Sequence, residues 1–222
     1  MNTIQNKEHT DQRIEEHELI KKILGGEKEL YEILIRRYNQ KLYRAIRSYL
    51  INEADIEDSM QNSYINAYTH LQQFRHDASF STWLIRIGIN EALAKLKEKK
   101  KFLTHVDTSY PDTFKTVDIT DYKQLNPQEQ MIRQESKYLL ETAIDSLQSK
   151  YKIVYILKEL EEMSLQEIAD TLKLTVSNVK VRLHRSKEML KSKLLENSNT
   201  NNVFEFGNSR CDRLTAAVMH KI

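Results

Sequence analysis

Between Leu174 and Leu190 the chain reads LTVSNVKVRLHRSKEML. Val176, Val179, Leu183 and Leu190, with Leu194 beyond them, recur at helical spacing and require a core. The opposite face carries Ser177, Asn178, Val181, His184 and Arg185, and its shoulders carry Lys180, Arg182 and Lys187. Glu188 alone answers that charge. Amide, imidazole and guanidinium groups can read base edges in a major groove, and Val181 can meet a thymine methyl. The shoulder cations suit phosphates. The plainer alternative is a solvated basic helix face, so the elements around it must decide.

They favour DNA. Leu165, Ile168, Ala169 and Leu172 form the buried face of a short helix over residues 164–172. "KLT" is long enough only for a tight turn, and Thr175 can cap the helix that follows. Two short helices, a tight turn and a basic second helix make a helix-turn-helix. Lys173 sits in that turn.

A second set lies upstream. A helix predicted over residues 81–100 places Thr82, Trp83, Arg86, Asn90, Lys97 and Lys101 along one stripe, just after FRHDASFS with its Phe74 and Phe80. Unstacked bases require rings to stack on and amides to bond, and this stripe supplies both. Phe80 reads more simply as core, whereas Trp83 fits core and stacking surface equally well. The preceding helix, capped by Asn52, carries Ile56, Met60, Tyr64, Ala67, Leu71 and Phe74 on its apolar stripe. Opposite them lie Asp55, Asp58, Gln61, Asn62 and Ile65, with Glu57 on the shoulder. An acidic, amide-bearing face with an exposed isoleucine suits a protein partner better than DNA, although such faces are often only solvated.

The whole chain must hold these faces in place. It has 222 residues with only 4 Gly and 2 Pro, a composition that predicts an all-α protein. Net charge is only +2, but it is blocked: KLKEKKK (95–101) and residues 180–193 are basic, while NEADIED (52–58) is acidic. Two small helical domains joined by a flexible linker are expected. Residues 1–12 read as a disordered N-terminus, 13–101 as a helical bundle and 102–125 as an acidic linker. Residues 126–196 read as the helix-turn-helix domain and 197–222 as a C-terminal extension. Within the first bundle, helices are predicted over about 13–24, 28–50 and from Asn52 onward. Asn126-Pro127 with Glu129 starts the second bundle, with helices over about 127–147 and 149–160. No metal site, cofactor or catalytic residue is expected: the histidines are scattered, no Gly-rich phosphate loop occurs, and the single Cys211 supplies no thiolate cluster. No run reaches membrane-spanning length and the N-terminus lacks a signal-peptide core, which points to a cytoplasmic protein without membrane insertion.

ADIEDSMQNSYINAYTHLQQFRHDASFSTWLIRIGINEALAKLK, followed by MSLQEIADTLKLTVSNVKVRLHRSK, resembles the extracytoplasmic-function (ECF) group of bacterial RNA polymerase sigma factors. The resemblance spans residues 30–193. It implies a transcription initiation subunit, not an enzyme, whose partners are core RNA polymerase (clamp helices and flap) and promoter DNA. An anti-sigma factor is compatible with it. By the resemblance, Asp55, Glu57, Asp58 and Gln61, extended here to Asn62 and Ile65, face core polymerase. The Phe74–Phe80 loop, with Arg75 and Ser79, would form with Asn90 a pocket for a flipped −10 base. Arg86 and the lysines after it would hold phosphates. Lys180, Val181, His184 and Arg185 fall where the family reads the −35 element, and Lys173 stands where relatives usually have Gly. A stand-alone helix-turn-helix regulator with an N-terminal sensing or dimerisation domain is the alternative. FEFGNSRCDR resembles a C-terminal extension of some ECF members; beside Arg210 and Arg213 the Cys211 thiol could be acidified, but an inert cysteine is the simpler reading.

Overall fold

The computed structural model describes residues 15–103 and 127–197. Residues 1–14, 104–126 and 198–222 lie outside the described residues, and with them the expected disordered N-terminus (1–12), most of the expected acidic linker (102–125) and the expected extension with Cys211; residues 102 and 103, expected in the linker, are helical. Among the described residues every regular element is helical. The first bundle holds α1 (Glu16–Leu24), α2 (Tyr31–Arg47), α3 (Glu53–Thr69) and α4 (Phe80–Leu103). The second holds α5 (Pro127–Asp145), α6 (Ser149–Tyr155), α7 (Leu165–Leu172) and α8 (Val176–Asn197).

Local chemistry sets the boundaries. α1 ends at Gly25, and Gly26 follows at φ 112°, a conformation only glycine adopts without strain. The Asn52 side chain accepts from the Asp55 amide, and acidic Glu53 and Asp55 sit in the first turn of α3, where the helix dipole favours them. Ser164 and Glu167 close a reciprocal capping box at the start of α7. The predicted second helix is split: a short 3₁₀ turn, Lys28–Leu30, precedes α2. The predicted helix over 149–160 also changes character, since its last five residues, Ile156–Leu160, wind as a wider π turn. That turn delivers Glu161 to a site where its side chain is 1% exposed.

The first core gathers Leu19, Ile20, Leu34, Leu42, Ile46, Ile56, Phe80 and Leu84. Tyr31 donates to the Tyr64 carbonyl at 2.8 Å, and Tyr64 to the Ile35 carbonyl at 3.1 Å, so these buried phenols are satisfied. Burial raises both of their pKa values. Helices α2 and α4 approach closely at Gly88. A Cβ there would run into Leu42 Cδ1 and lie 3.3 Å from Ile46 Cδ1, both side chains fully buried. Gly88→Ala should gain about 1 kcal/mol of helix propensity and lose about 2 kcal/mol to crowding. A net destabilisation near 1 kcal/mol is expected in urea denaturation.

The two bundles also pack on one another. Ala45, Ile85 and Ile89 of the first share one apolar cluster with Ile153, Val154, Leu157, Ile168, Ala169 and Val179 of the second. Ion pairs ring it. Arg47 grips Asp145 with two bonds of 2.6 and 2.7 Å, and Lys152 reaches the same carboxylate at 3.3 Å. Arg44 bonds the buried Glu161 at 2.9 Å, with Lys41 at 3.7 Å. Helical periodicity marks such residues as buried without saying which bundle buries them.

Candidate nucleic-acid interface

The turn between α7 and α8 keeps helix-turn-helix geometry with a lysine in the strained place. Lys173 takes φ 55° and ψ 47°, and the Leu174 amide bonds back to the Ala169 carbonyl at 2.8 Å. Thr175 then accepts from the Asn178 amide and starts α8. Lys173→Gly is expected to raise stability by about 1 kcal/mol, because the left-handed conformation burdens every side chain that has a Cβ. A higher urea midpoint at unchanged slope would register it.

Beyond that turn α8 separates its two faces as the periodicity predicts, except that Leu194, expected in the core, is 37% exposed near the end of the helix. Val179 and Leu190 are buried, whereas Ser177, Asn178, Lys180, His184 and Arg185 are exposed and Val181 is 48% exposed. Within this face Arg182 donates from Nε to Asn178 Oδ1 at 2.8 Å, which fixes the amide's orientation. Lys187 is tied to Glu159 at 2.8 Å, and Arg185 Nη1 lies 3.5 Å from the Tyr151 hydroxyl, which it acidifies. Arg185 therefore projects at the surface with only a weak tether.

The upstream set divides. Phe74 is buried, edge-on to Phe80 with ring centres 5.8 Å apart, and Trp83 packs on both at 5.2 and 5.7 Å. Phe80 is thus core, and Phe74 is buried against it while also lining the cleft that Trp83 borders. Trp83 is half-buried and unites the two readings open for it: one side of the indole packs on these rings while another lines a cleft of about 300 Å³. Arg75, Thr82 and Arg86 line that cleft too. Ser79 sits at its approach, where its hydroxyl lies 3.0 Å from that of Thr82. His76, at φ 59°, stacks on Phe74 and on His17 of α1 and so bends the 74–80 loop. Asn90 is not in this cleft. It is exposed in a shallower one of about 260 Å³, with Asn66, His70 and Glu91, and Trp83 forms the wall between the two. Lys97 and Lys101 lie exposed further along α4.

Thr82 is buried, and besides Ser79 its hydroxyl meets the other bundle, facing Glu167 Oε1 of α7 at 3.4 Å. Glu167 and Asp170 line the same cleft. The Ser164 amide and hydroxyl hold the Glu167 carboxyl below the usual range. The Nε of Arg86 is buried with no hydrogen-bond partner. Glu167, Asp170 and Gln73 were missed in the sequence. Glu167 falls in a capping pattern and Asp170 on a solvent face, so neither points across to another bundle.

The acidic face of α3 is only partly open. Asp55, 14% exposed, is paired with Lys99 and with Lys95, which also reaches Asp58 at 3.5 Å. Glu57, Asp58, Gln61 and Asn62 are exposed, and Ile65 is 65% exposed. The face thus joins an anionic edge to an uncovered apolar side chain.

Residues 34–102 match the family model for sigma-70 region 2, and residues 137–190 that for sigma-70 region 4. The chain is 30% identical over 180 residues to the ECF RNA polymerase sigma factor SigW of Bacillus subtilis, covering 79% of this chain and 94% of that one. It is 28% identical over 185 residues to the ECF RNA polymerase sigma-E factor of Haemophilus influenzae, covering 82% and 97%. Its fold is similar to CnrH, solved in complex with the cytosolic domain of CnrY (TM-score 0.55, 24% identity, 81% of this chain and 97% of that one). It is also similar to the sigma factor RpoE of Bartonella quintana, solved with the anti-sigma factor NepR (TM-score 0.61, 16% identity, 76% and 98%). With region 2 lying over α2 to α4, region 4 over α5 to α8, and a relative of this identity matched almost end to end, the chain belongs to the ECF group of sigma-70-family RNA polymerase sigma factors.

Proposed function

We propose that this sigma factor binds core RNA polymerase and directs promoter recognition and melting, without catalysis of its own and in the cytoplasm. The observation that carries the residue-level reading is the exposed polar face of α8, standing on a helix-turn-helix whose other face is buried. On this reading residues 126–196 take the −35 duplex. Arg185, His184, Asn178 and Val181 meet base edges, and Lys180, Arg182 and Lys187 meet phosphates. Residues 13–101 take the −10 element as an unpaired strand, with Trp83 as stacking surface and Arg75, Arg86, Lys97 and Lys101 as phosphate contacts. The outer face of α3, with Asp58, Gln61, Asn62 and Ile65, docks on core polymerase. An anti-sigma factor, the partner class named for the Bartonella protein, would regulate it by covering such faces.

The test is run-off transcription with core polymerase on a genomic library, followed by sequencing of bound promoters. Asymmetric start-site-linked motifs, opened only when both protein and core enzyme are present, are expected. Tight binding to palindromic sites without polymerase would instead identify a stand-alone regulator.

A further inference from the structure

Helix α1 lies outside residues 34–102, which match sigma-70 region 2, yet it braces the loop on which the −10 reading depends. Its apolar face is fixed, with Leu19, Ile20 and Ile23 buried in the first core. From that anchor two neighbouring side chains reach opposite ends of the 74–80 loop. Glu16 takes the far end: its Oε1 accepts from the Phe80 amide at 3.1 Å, and its Oε2 accepts from the Tyr38 hydroxyl. Phe80 opens α4, so that amide is one of the donors a helix start leaves without an intrahelical partner. Ser79 meets another, accepting from the Thr82 amide at 3.2 Å. The helix dipole also favours a carboxylate at this end. The Tyr38 ring centre lies 5.5 Å from that of Phe80, so bond and packing hold the same residue. His17 takes the near end: its ring centre lies 4.7 Å from that of His76, which lies 4.4 Å from that of Phe74. Phe74 and Phe80 are the two rings on which Trp83 packs. Glu16 and His17 stand outside the lining of the cleft, whereas Phe74, Arg75, Asp77 and Ala78 of the loop supply part of it.

We propose that Glu16 is a positioning residue for −10 strand capture. By tying Phe80 to Tyr38 it holds the 74–80 loop and Trp83 in the form that receives an unpaired strand, and His17 steadies the other end of the loop through His76. The proposal rests on reading that cleft as the single-strand site. A loop that visits its receptive form only part of the time lowers the apparent affinity by that fraction. The −35 face of α8 belongs to the other bundle and carries no such penalty.

Two readouts separate the positioning from the cleft it serves. In the full chain, acrylamide quenching of Trp83, the only tryptophan, should rise in Glu16→Ala and return to the native level in Glu16→Gln. Glutamine can still accept from the Phe80 amide through its oxygen and donate to the Tyr38 oxygen through its nitrogen. In holoenzyme, anisotropy follows a fluorescein-labelled single strand carrying the −10 element of a promoter recovered by the run-off selection, and a duplex carrying its −35 element. Glu16→Ala is expected to weaken strand binding about tenfold, the factor for a loop in its receptive form roughly a tenth of the time. Glu16→Gln should restore it, and −35 duplex binding should stay unchanged throughout. Tyr38→Phe keeps the ring against Phe80 and removes only the hydroxyl, so a smaller loss in the same direction is expected even should Glu16→Ala disturb the fold. Unaltered quenching in Glu16→Ala overturns the positioning, as does failure of Glu16→Gln to restore either readout. Equal loss on strand and −35 duplex in both Glu16→Ala and Tyr38→Phe overturns it too, because that marks a general loss of fold. Raised quenching with full strand binding leaves Glu16 holding the loop but overturns the cleft as the strand site, and the proposal with it.

Discussion

Asp145→Ala should destabilise the folded chain by about 3 kcal/mol, the largest single effect expected away from the two cores. Asp145 is only 14% exposed and Lys152 only 10%, and the carboxylate answers both Arg47 and Lys152. Removing it leaves a buried ammonium and a half-buried guanidinium without a counter-charge. Burial already lowers the Lys152 pKa, with Asp145 opposing the shift, so the variant should lower it further. Urea denaturation followed by circular dichroism gives the energy. Asp145→Ala with Lys152→Met should recover part of it, because the orphaned charge goes too. Unchanged stability in the single variant would show that this pair contributes nothing to holding the bundles together.

The same residue fixes a pH dependence. Burial alone would raise the Asp145 pKa, but the bonds from Arg47 and the charge of Lys152 bring it below the ordinary carboxylate value. A group with a depressed folded-state pKa contributes its full stabilisation above the unfolded value, about 4, and loses it as pH falls through the lower folded value. The native chain should therefore weaken in that acid window more steeply than the Asp145→Ala variant does.

Arg185→Ala should weaken holoenzyme binding to its selected −35 elements about 30-fold, the equivalent of about 2 kcal/mol for a base-edge contact. Arg185 is exposed and held only by a 3.5 Å contact to the Tyr151 hydroxyl, so truncation removes little from the fold. A base contact and a phosphate contact separate by comparing targets. Loss confined to selected elements identifies base reading, whereas equal loss on unrelated duplex, with a shallower salt dependence, identifies a phosphate contact. Unchanged affinity for both would remove Arg185 from the interface.

Residues with a local explanation were legible in the sequence. The two faces of α8, the Asn52 cap and the helix-turn-helix turn all follow from periodicity and capping within a few residues. Phe74 was harder. Aromatics beside a loop serve a core and a stacking site alike, and Phe74 packs edge-on against Phe80 while also lining the cleft. Thr82 lay on the predicted stripe, but its hydroxyl bonds Glu167, which lies 85 residues away along the chain. The pairing of Asp55 with Lys95 and Lys99 was hidden in the same way: each block read as a surface with its own partner, and α3 and α4 in fact neutralise each other there. What the sequence withheld was tertiary pairing between segments whose local patterns were already complete.

The apolar cluster shared by the two bundles couples their unfolding: loosening either half strips cover from Ile85, Ile89, Val154 and Leu157 of the other, so the two should melt together.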